Sequence, residues 1–415
     1  MTNLVEHDRS QEEALRRRAR AVIPGGMYGH QNAAMLPAGY PQFLERGDGC
    51  RIWDTAGNEY VDLMCSYGPI VLGHRHPKVE EAAAAQLAKA DCQNAPAPCM
   101  VDLAELLVDR VSHADWAIFS KNGTDATTVA LMAARSATGR STVLMAKGAY
   151  HGAAPWCTPR PNGTTAGDRA NLGYYTYNDL ASVEAAADEA GDDLAAVIVS
   201  PFRHDAGYDQ ELADPAFAQG LRRLCDRRGA ALVLDDVRCG LRMAHGGSWE
   251  PLGVEPDLSA WSKALANGYA LAAVLGNDAM RDGARRLFVT GSFWFSAVSM
   301  AASIATIEAH RDEDAMGRME RAGERLRRGL DEQASAHGLT IRQTGPVQMP
   351  FLSFADDGDY QKASLFGVTT LQNGAYLHPR HNWFLSAAHG DADIDRALQA
   401  TDAGFAAVAE RFGRG

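Results

Sequence analysis

The sequence predicts an α/β protein: a mostly parallel sheet buried on both faces, with a second, smaller unit built from both chain ends. Three observations carry this expectation. Six short apolar runs, WAIFS, STVLMA, AAVIVS, ALVLDDV, LSAWS and LAAVLG, lie between Trp116 and Gly276. Strands that read as continuous apolar runs are those covered on both sides, and the helical segments between them imply parallel crossovers. The 415 residues exceed one ordinary domain but suit a large and a small one.

In chain order, the start MTNLVEHDRSQEEALRRRARAVIPGG offers a first helix whose arginines at 16–20 form a solvated face, followed by a break at the Pro-Gly-Gly of residues 24–26. FLERGDG and RIWDTAGNEYVDL alternate around turn residues as a hairpin does. KVEEAAAAQLAKA, VDLAELLVDRV, GTDATTVALMAARSATG and residues 217–228 have helical spacing. A long helical stretch follows from Ser296 to about His337, then strands near 339–342 and 350–354, then a terminal helix from about Asp391. These elements place the N-terminal part of a small domain at 1–60, a large domain at 61–300 and the C-terminal part of the small domain at 301–415.

Composition excludes several function classes. A net charge of -12 disfavours nucleic acid, whose phosphates need a basic face. No run of 18 or more apolar residues suggests a membrane span, and the first residues lack the apolar core of a secretory leader. The seven cysteines have no CxxC spacing, so the expectation is a reduced, cytoplasmic setting with thiols that fill core.

Ligands of open α/β sheets sit beyond the carboxyl ends of the strands. Four such ends carry unusual residues. Asn122-Gly123-Thr124 opens a helix after WAIFS, where exposed N–H groups and the helix dipole make an anion cradle; an ordinary N-cap is the plainer reading. Tyr150, after STVLMA, is an aromatic able to stack on a flat ring, although plain packing explains a lone tyrosine as well. Asp235 closes ALVL, and a carboxylate at the end of a buried strand needs a partner. A protonated ring nitrogen is one such partner; a metal or a salt bridge is another, the metal disfavoured because no ligand cluster accompanies Asp235 and Asp236. Lys263 stands 28 positions later at the end of LSAWS, where desolvation can leave a nucleophilic amine. Anion cradle, stacking aromatic, ring-nitrogen partner and amine together suit pyridoxal 5'-phosphate (PLP), and no metal is expected.

The series NGTDA, AYHG, LDDV and PDLSAWSKALANGY resembles the class III aminotransferases of PLP fold type I, nearest the glutamate-1-semialdehyde aminomutase subgroup. AVIPGG, GDGCRIWDTAGNEYVDL, CSYGPIVLGHRHP, GSFWFSAVSMAA and GAYLHPRHNWFLSAAHGDADID extend the resemblance over nearly the whole chain. The resemblance implies a seven-stranded sheet and a homodimer with active sites shared at the interface. It also makes Lys263 the Schiff-base lysine and Asp235 the pyridine partner. Tyr150 and Val237 become the residues on the two ring faces, and Asn122, Gly123 and Thr124 the phosphate loop. Ser292 stands where the family usually has a threonine that reaches the neighbouring subunit's phosphate.

Departures from the family bear on substrate. Asn32 falls where the aminomutase has an arginine that clamps the substrate carboxylate, and an amide cannot supply a cationic fork. The family's Glu-Pro is Ser200-Pro201 here, followed by Arg203, His204 and Asp205, with Asp205 at the place of an asparagine that bonds the ring oxygen. Tyr28, Tyr67, Trp294 and Trp383 are expected to line the acceptor pocket. Arg203, Arg380 and His381 are candidates for a carboxylate or hydroxyl, with surface ion pairs as the competing explanation. The resulting expectation is an aminotransferase of specialised metabolism that moves an amino group from an amine or amino acid to an aldehyde or ketone. An aminomutase or an amino-acid epimerase on the same cofactor is the first rival, and a non-catalytic protein of this fold is the second.

Overall fold

A computed structural model describes residues 10–29, 32, 34–37 and 39–413. All six apolar runs are strands of one seven-stranded sheet. Its order is Trp116–Ser120, Ala272–Gly276, Leu258–Trp261, Ala231–Asp235, Leu194–Val199, Thr142–Ala146, Leu172–Tyr175. Ala272–Gly276 is antiparallel to both neighbours, and the other pairs are parallel. Every residue of Leu194–Val199 and Ala231–Asp235 is buried, which is why they read as unbroken apolar runs. Leu172–Tyr175 is an edge strand with only Tyr175 buried, so it carries no such run.

Strand alternation sorts side chains between two cores. Val197, Val199, Leu232 and Leu234 pack beneath the helices Leu180–Ala190 and Pro215–Arg228. Ala196, Ile198, Ala231 and Val233 point the other way, against the helix Gly123–Thr138. Local signals set the helix ends. Asp214 accepts from the Ala216 N–H at 2.7 Å, Pro215 fills the first helical position and Gly229 (φ 59) closes the far end. A cap of this kind contributes about 1 kcal/mol.

The chain ends meet in a four-stranded sheet of Leu44–Asp48, Arg51–Asp54, Glu59–Asp62 and Ala375–Tyr376, the last pairing in parallel with Val61 and Asp62. The expected hairpin is therefore three strands, because a turn closed by the Gly57 N–H on the Asp54 carbonyl divides its second half. The long helical stretch is likewise two helices, Ala297–Asp312 and Ala315–Ala336. Asp314, at φ 50, breaks the run and caps the second helix at Gly317. Among the described residues, no helix is long and apolar enough to cross a membrane.

Because Trp116–Ser120, Thr142–Ala146, Ala231–Asp235 and Leu258–Trp261 all run the same way, their carboxyl ends share one edge of the sheet. The loops that leave this edge enclose the site.

Candidate active site

A cavity of about 390 Å³ opens at that edge, lined by residues from all four loops, including Gly123, Thr124, Tyr150, Asp235, Val237 and Lys263. Lys263 begins the short turn that follows Leu258–Trp261 and holds φ 49, a left-handed conformation that a lysine adopts only under constraint. Burial, and after it the nearby Arg238 guanidinium, pull its amine down from the ordinary lysine range to about 7. Much of the amine is thus unprotonated, and nucleophilic, near neutrality.

Asp235, 5% exposed, accepts from the Val237 N–H at 3.1 Å and faces His151 Nδ1 at 2.6 Å. Only an imidazole N–H can fill that second contact if the oxygen is an acceptor, so the proton sits on Nδ1. His151 is itself buried, in near-parallel contact with Trp156.

The anion cradle is built by close approach. Asn122 caps the helix Gly123–Thr138 by accepting from the Asp125 N–H at 3.0 Å, so its amide oxygen serves the helix. A Cβ on Gly123 would stand 2.6 Å from Val237 Cγ1, and one on Gly152 2.6 Å from Thr124 Oγ1. Glycine at both positions lets helix start, strand end and the 150–152 loop converge. Thr124 Oγ1 accepts from the Ala153 N–H at 3.1 Å, which leaves its hydroxyl proton to donate.

PLP requires an amine, a carboxylate for its ring nitrogen, a donor set for its phosphate and a slot for a flat ring. Lys263, Asp235, the helix start with Thr124, and Tyr150 with Val237 meet those needs within one cavity, so the residues present fit the group.

Other expected residues stand elsewhere in the chain. Asn32 accepts from the Ala34 N–H at 2.9 Å and lies against Gly25. Tyr28 is exposed, as is Ser292, and Trp294 packs at the margin of the helix-covered core. Tyr67 lines a neighbouring cleft and touches His381 edge-on at 5.1 Å. Trp383, expected to line the pocket, is a core residue whose indole donates to the His378 carbonyl. Asp205 pairs with Arg203 at 2.8 Å, and Arg380 lies over the Tyr360 ring.

Three residues that shape the site have no role predicted from the sequence. One is His151, which adjoins Tyr150. Arg238, three residues after Asp235, lines the cavity, and the fully buried Arg242 donates to the carbonyls of Gly68, Ile70 and Leu385. Long-range partners decide these positions, and the only local signal is the pair of arginines in DVRCGLR, which marks Arg238 and Arg242 but not His151.

Comparison with known proteins places this geometry in context. A family profile described as "Aminotransferase class-III" matches residues 35–391. A protein of Sphingopyxis macrogoltabida named aminopentol aminotransferase is 50% identical over 403 residues, covering 97% of this chain and 96% of its own. The solved PLP internal aldimine form of the Sphingopyxis sp. MTA144 FumI protein superposes with a TM-score of 0.96 at 50% identity, covering 97% of each chain. A glutamate-1-semialdehyde 2,1-aminomutase of Anaeromyxobacter sp. (strain Fw109-5) is 32% identical over 425 residues, covering 96% of this chain and 98% of its own.

Proposed function

The chain belongs to the class III aminotransferases, and from that premise we propose residue roles, a substrate class and an assembly for it. It is a PLP-dependent enzyme that moves an amino group from an amine or amino-acid donor to an aldehyde or ketone acceptor. When bound, the cofactor supplies a carbonyl for the amine and a ring that withdraws electrons from the carbon losing its proton.

The observation that carries the residue roles is the meeting of Lys263 and Asp235 in one cavity with a helix start. Lys263 would hold the cofactor covalently, and its amine is placed to move the proton of the donor carbon. Asp235, oriented by His151, holds the ring nitrogen protonated. The N–H groups at Gly123 and Thr124, with the Thr124 hydroxyl and the helix capped by Asn122, hold the phosphate. Tyr150 and Val237, which line the same cavity, would cover the two faces of the cofactor's ring.

The donor is an amine that carries hydroxyls, of the kind the aminopentol aminotransferase is named for. The disposition of Asn32 supports this, since its amide is turned to its own backbone and offers no carboxylate clamp from the N-terminal segment. The same feature counts against an aminomutase outcome. The enzyme works in the cytoplasm as a homodimer, with Ser292 of each chain reaching the other's phosphate; Phe288 and Phe293 beside it, 93% and 65% exposed, are apolar area that a second copy would cover.

Incubating holoenzyme with an amino-polyol in deuterated water tests this reading. Loss of the cofactor's visible absorbance band with release of a carbonyl product is expected. Label exchange at the donor carbon without carbonyl release would instead indicate an epimerase or mutase.

A further inference from the structure

Cys65, Ser66 and Tyr67 hold φ values of 46, 55 and 62, and Gly68 follows at φ 109. Non-glycine residues enter the left-handed region singly, because the Cβ crowds the following carbonyl oxygen. A run of three persists only where surrounding contacts fix it. Within the turn, the Tyr67 N–H donates to the Met64 carbonyl at 2.8 Å and the Gly68 N–H to that of Cys65 at 2.9 Å.

Two buried side chains hold the turn from outside. Asp62, 2% exposed, stands at its entrance. Its Oδ1 accepts from the Met64 and Cys65 N–H groups, both at 2.9 Å, and its Oδ2 faces His74 Nε2 at 2.8 Å. Arg242, fully buried, stands at the exit. Its Nη2 donates to the carbonyls of Gly68 at 2.8 Å and Ile70 at 3.0 Å, and its Nη1 to that of Leu385. Both ends are therefore tied by hydrogen bonds to an acidic or a cationic group, which are stronger than neutral ones.

What the turn carries to the cavity is Gly68. A Cβ there would stand 3.4 Å from Lys263 Cδ and 3.0 Å from Phe384 Cε1, so its backbone lies close against the lysine stem. Phe384 is tied to the same segment, its N–H donating to the Leu63 carbonyl at 2.8 Å. None of the cofactor contacts named above uses Asp62 or Arg242.

We propose that Asp62 and Arg242 are positioning residues for Lys263: they hold the left-handed turn 65–68 against its stem and so keep water from that side of the amine. This rests on the assignment of Lys263 as the amine that carries the cofactor. The charged and titratable groups around the amine are Asp235, Arg238, Cys239 and Arg242, with the buried imidazoles of His204 and His381 beside them. A carboxylate acting on the amine by charge alone would favour the protonated form, and deleting it would lower the midpoint. Loosening the turn admits water and raises the midpoint, so the two routes have opposite signs.

The test is the pH profile of PLP capture by full-chain apoenzyme, the step in which the Lys263 amine bonds the aldehyde carbon and one water leaves. The proteins are wild type, Asp62→Ala, Asp62→Asn, and Asp62→Ala combined with Ser66→Gly. For Asp62→Ala the midpoint should rise by about one unit from its value of about 7, so that capture slows about fivefold at pH 7 and regains the wild-type rate above about pH 9. Asp62→Asn keeps an oxygen that accepts from both N–H groups and should stay within about twofold of wild type. Ser66→Gly puts a residue that tolerates φ 55 into the turn and should restore about half of the shift. Slower capture at every pH with an unmoved midpoint would show a merely structural loss, and a lowered midpoint an effect of charge. Either overturns the proposal, as does a double variant without recovery. If Asp62→Ala does not fold, Arg242→Lys decides, since it keeps the charge and loses the planar fork. Its midpoint should rise, and an unmoved one overturns the assignment. Wild-type apoenzyme that captures no PLP would instead defeat the Lys263 reading, and the midpoint of Lys263, read by cyanate labelling and mass spectrometry, would still report on the turn.

Discussion

His151 Nδ1 and Asp235 Oδ2 stand 2.6 Å apart, and both residues are buried at the edge of the sheet where the cavity opens. The carboxylate is thereby fixed on two sides, by the imidazole and by the Val237 N–H. An acid positioned in this way can present its remaining acceptor capacity to a ring nitrogen without reorienting. Replacing His151 by Asn should cost about 10- to 100-fold in kcat for the amine half-reaction, the range usual for groups that orient a first ligand. Asp235→Asn should cost at least as much. In the double variant the losses should not add, since both act on one contact. Stopped-flow half-reactions on the four proteins measure this, and simple additivity would show that His151 acts by another route.

Lys263→Ala removes the amine from an otherwise intact cavity. The visible absorbance band of the cofactor should disappear and turnover should fall by at least about 1,000-fold, within the span of lost proton transfer and covalent attachment. A spectrum that keeps the band would place the attachment on another lysine.

The depressed amine of Lys263 has a consequence in pH. Its value of about 7 in the folded chain means that protonation, which abolishes nucleophilicity, sets in as pH falls through 7 rather than through the ordinary lysine range. The rate at which apoenzyme captures free PLP should therefore fall about tenfold for each unit of pH below 7 and level off above 8. In stability terms the folded chain disfavours the charged amine. The resulting penalty is complete below about pH 7 and is relieved as pH rises toward the unfolded lysine's value. A capture rate that keeps rising to pH 10 would mean the amine is not desolvated.

Much of this site was legible because its parts are strand ends. Asp235 and Lys263 each follow an unbroken apolar run, and Gly123 and Thr124 open a helix of plain amphipathic spacing, so pattern and chemistry coincide there. His151 and Arg238 were not legible for a physical reason. Each owes its role to a partner far away in sequence, 84 residues in one case and 144 in the other, and no local periodicity encodes such contacts. The edge strand Leu172–Tyr175 escaped for a related reason, since a half-exposed strand shows no apolar run.

Gly123 offers a steric test. A methyl group there would meet Val237 Cγ1 at 2.6 Å, well inside contact distance, and both residues form the cradle wall. Gly123→Ala should push the helix start from the strand end, at an overpacking cost of about 1–3 kcal/mol. The expected result is a weaker hold on PLP, read by equilibrium dialysis. Val237→Ala in the same chain should restore part of it by opening the space. No rescue would indicate that the added Cβ acts on the phosphate donors directly.

Asp236, next to the site but turned away from the cavity, is expected to be a stability cost at neutral pH. Its Oδ2 accepts from the Ser248 N–H at 3.1 Å, while Oδ1 is buried without a partner. Burial pushes the carboxyl up from the usual range to about 7, the Ser248 contact opposing it. The folded chain thus keeps a proton that the unfolded chain gives up near pH 4. The neutral carboxyl is fully tolerated below that point, and stability from this group declines as pH rises from about 4 through about 7. Asp236→Asn retains an acceptor for Ser248 and cannot ionise. It should raise Tm at pH 8 by roughly 2–8 °C, and the gain should shrink toward zero by pH 5. Thermal melts of holoenzyme at the two pH values measure the difference. A variant less stable than wild type at pH 8 would mean that the ionised carboxylate has a partner which offsets its burial.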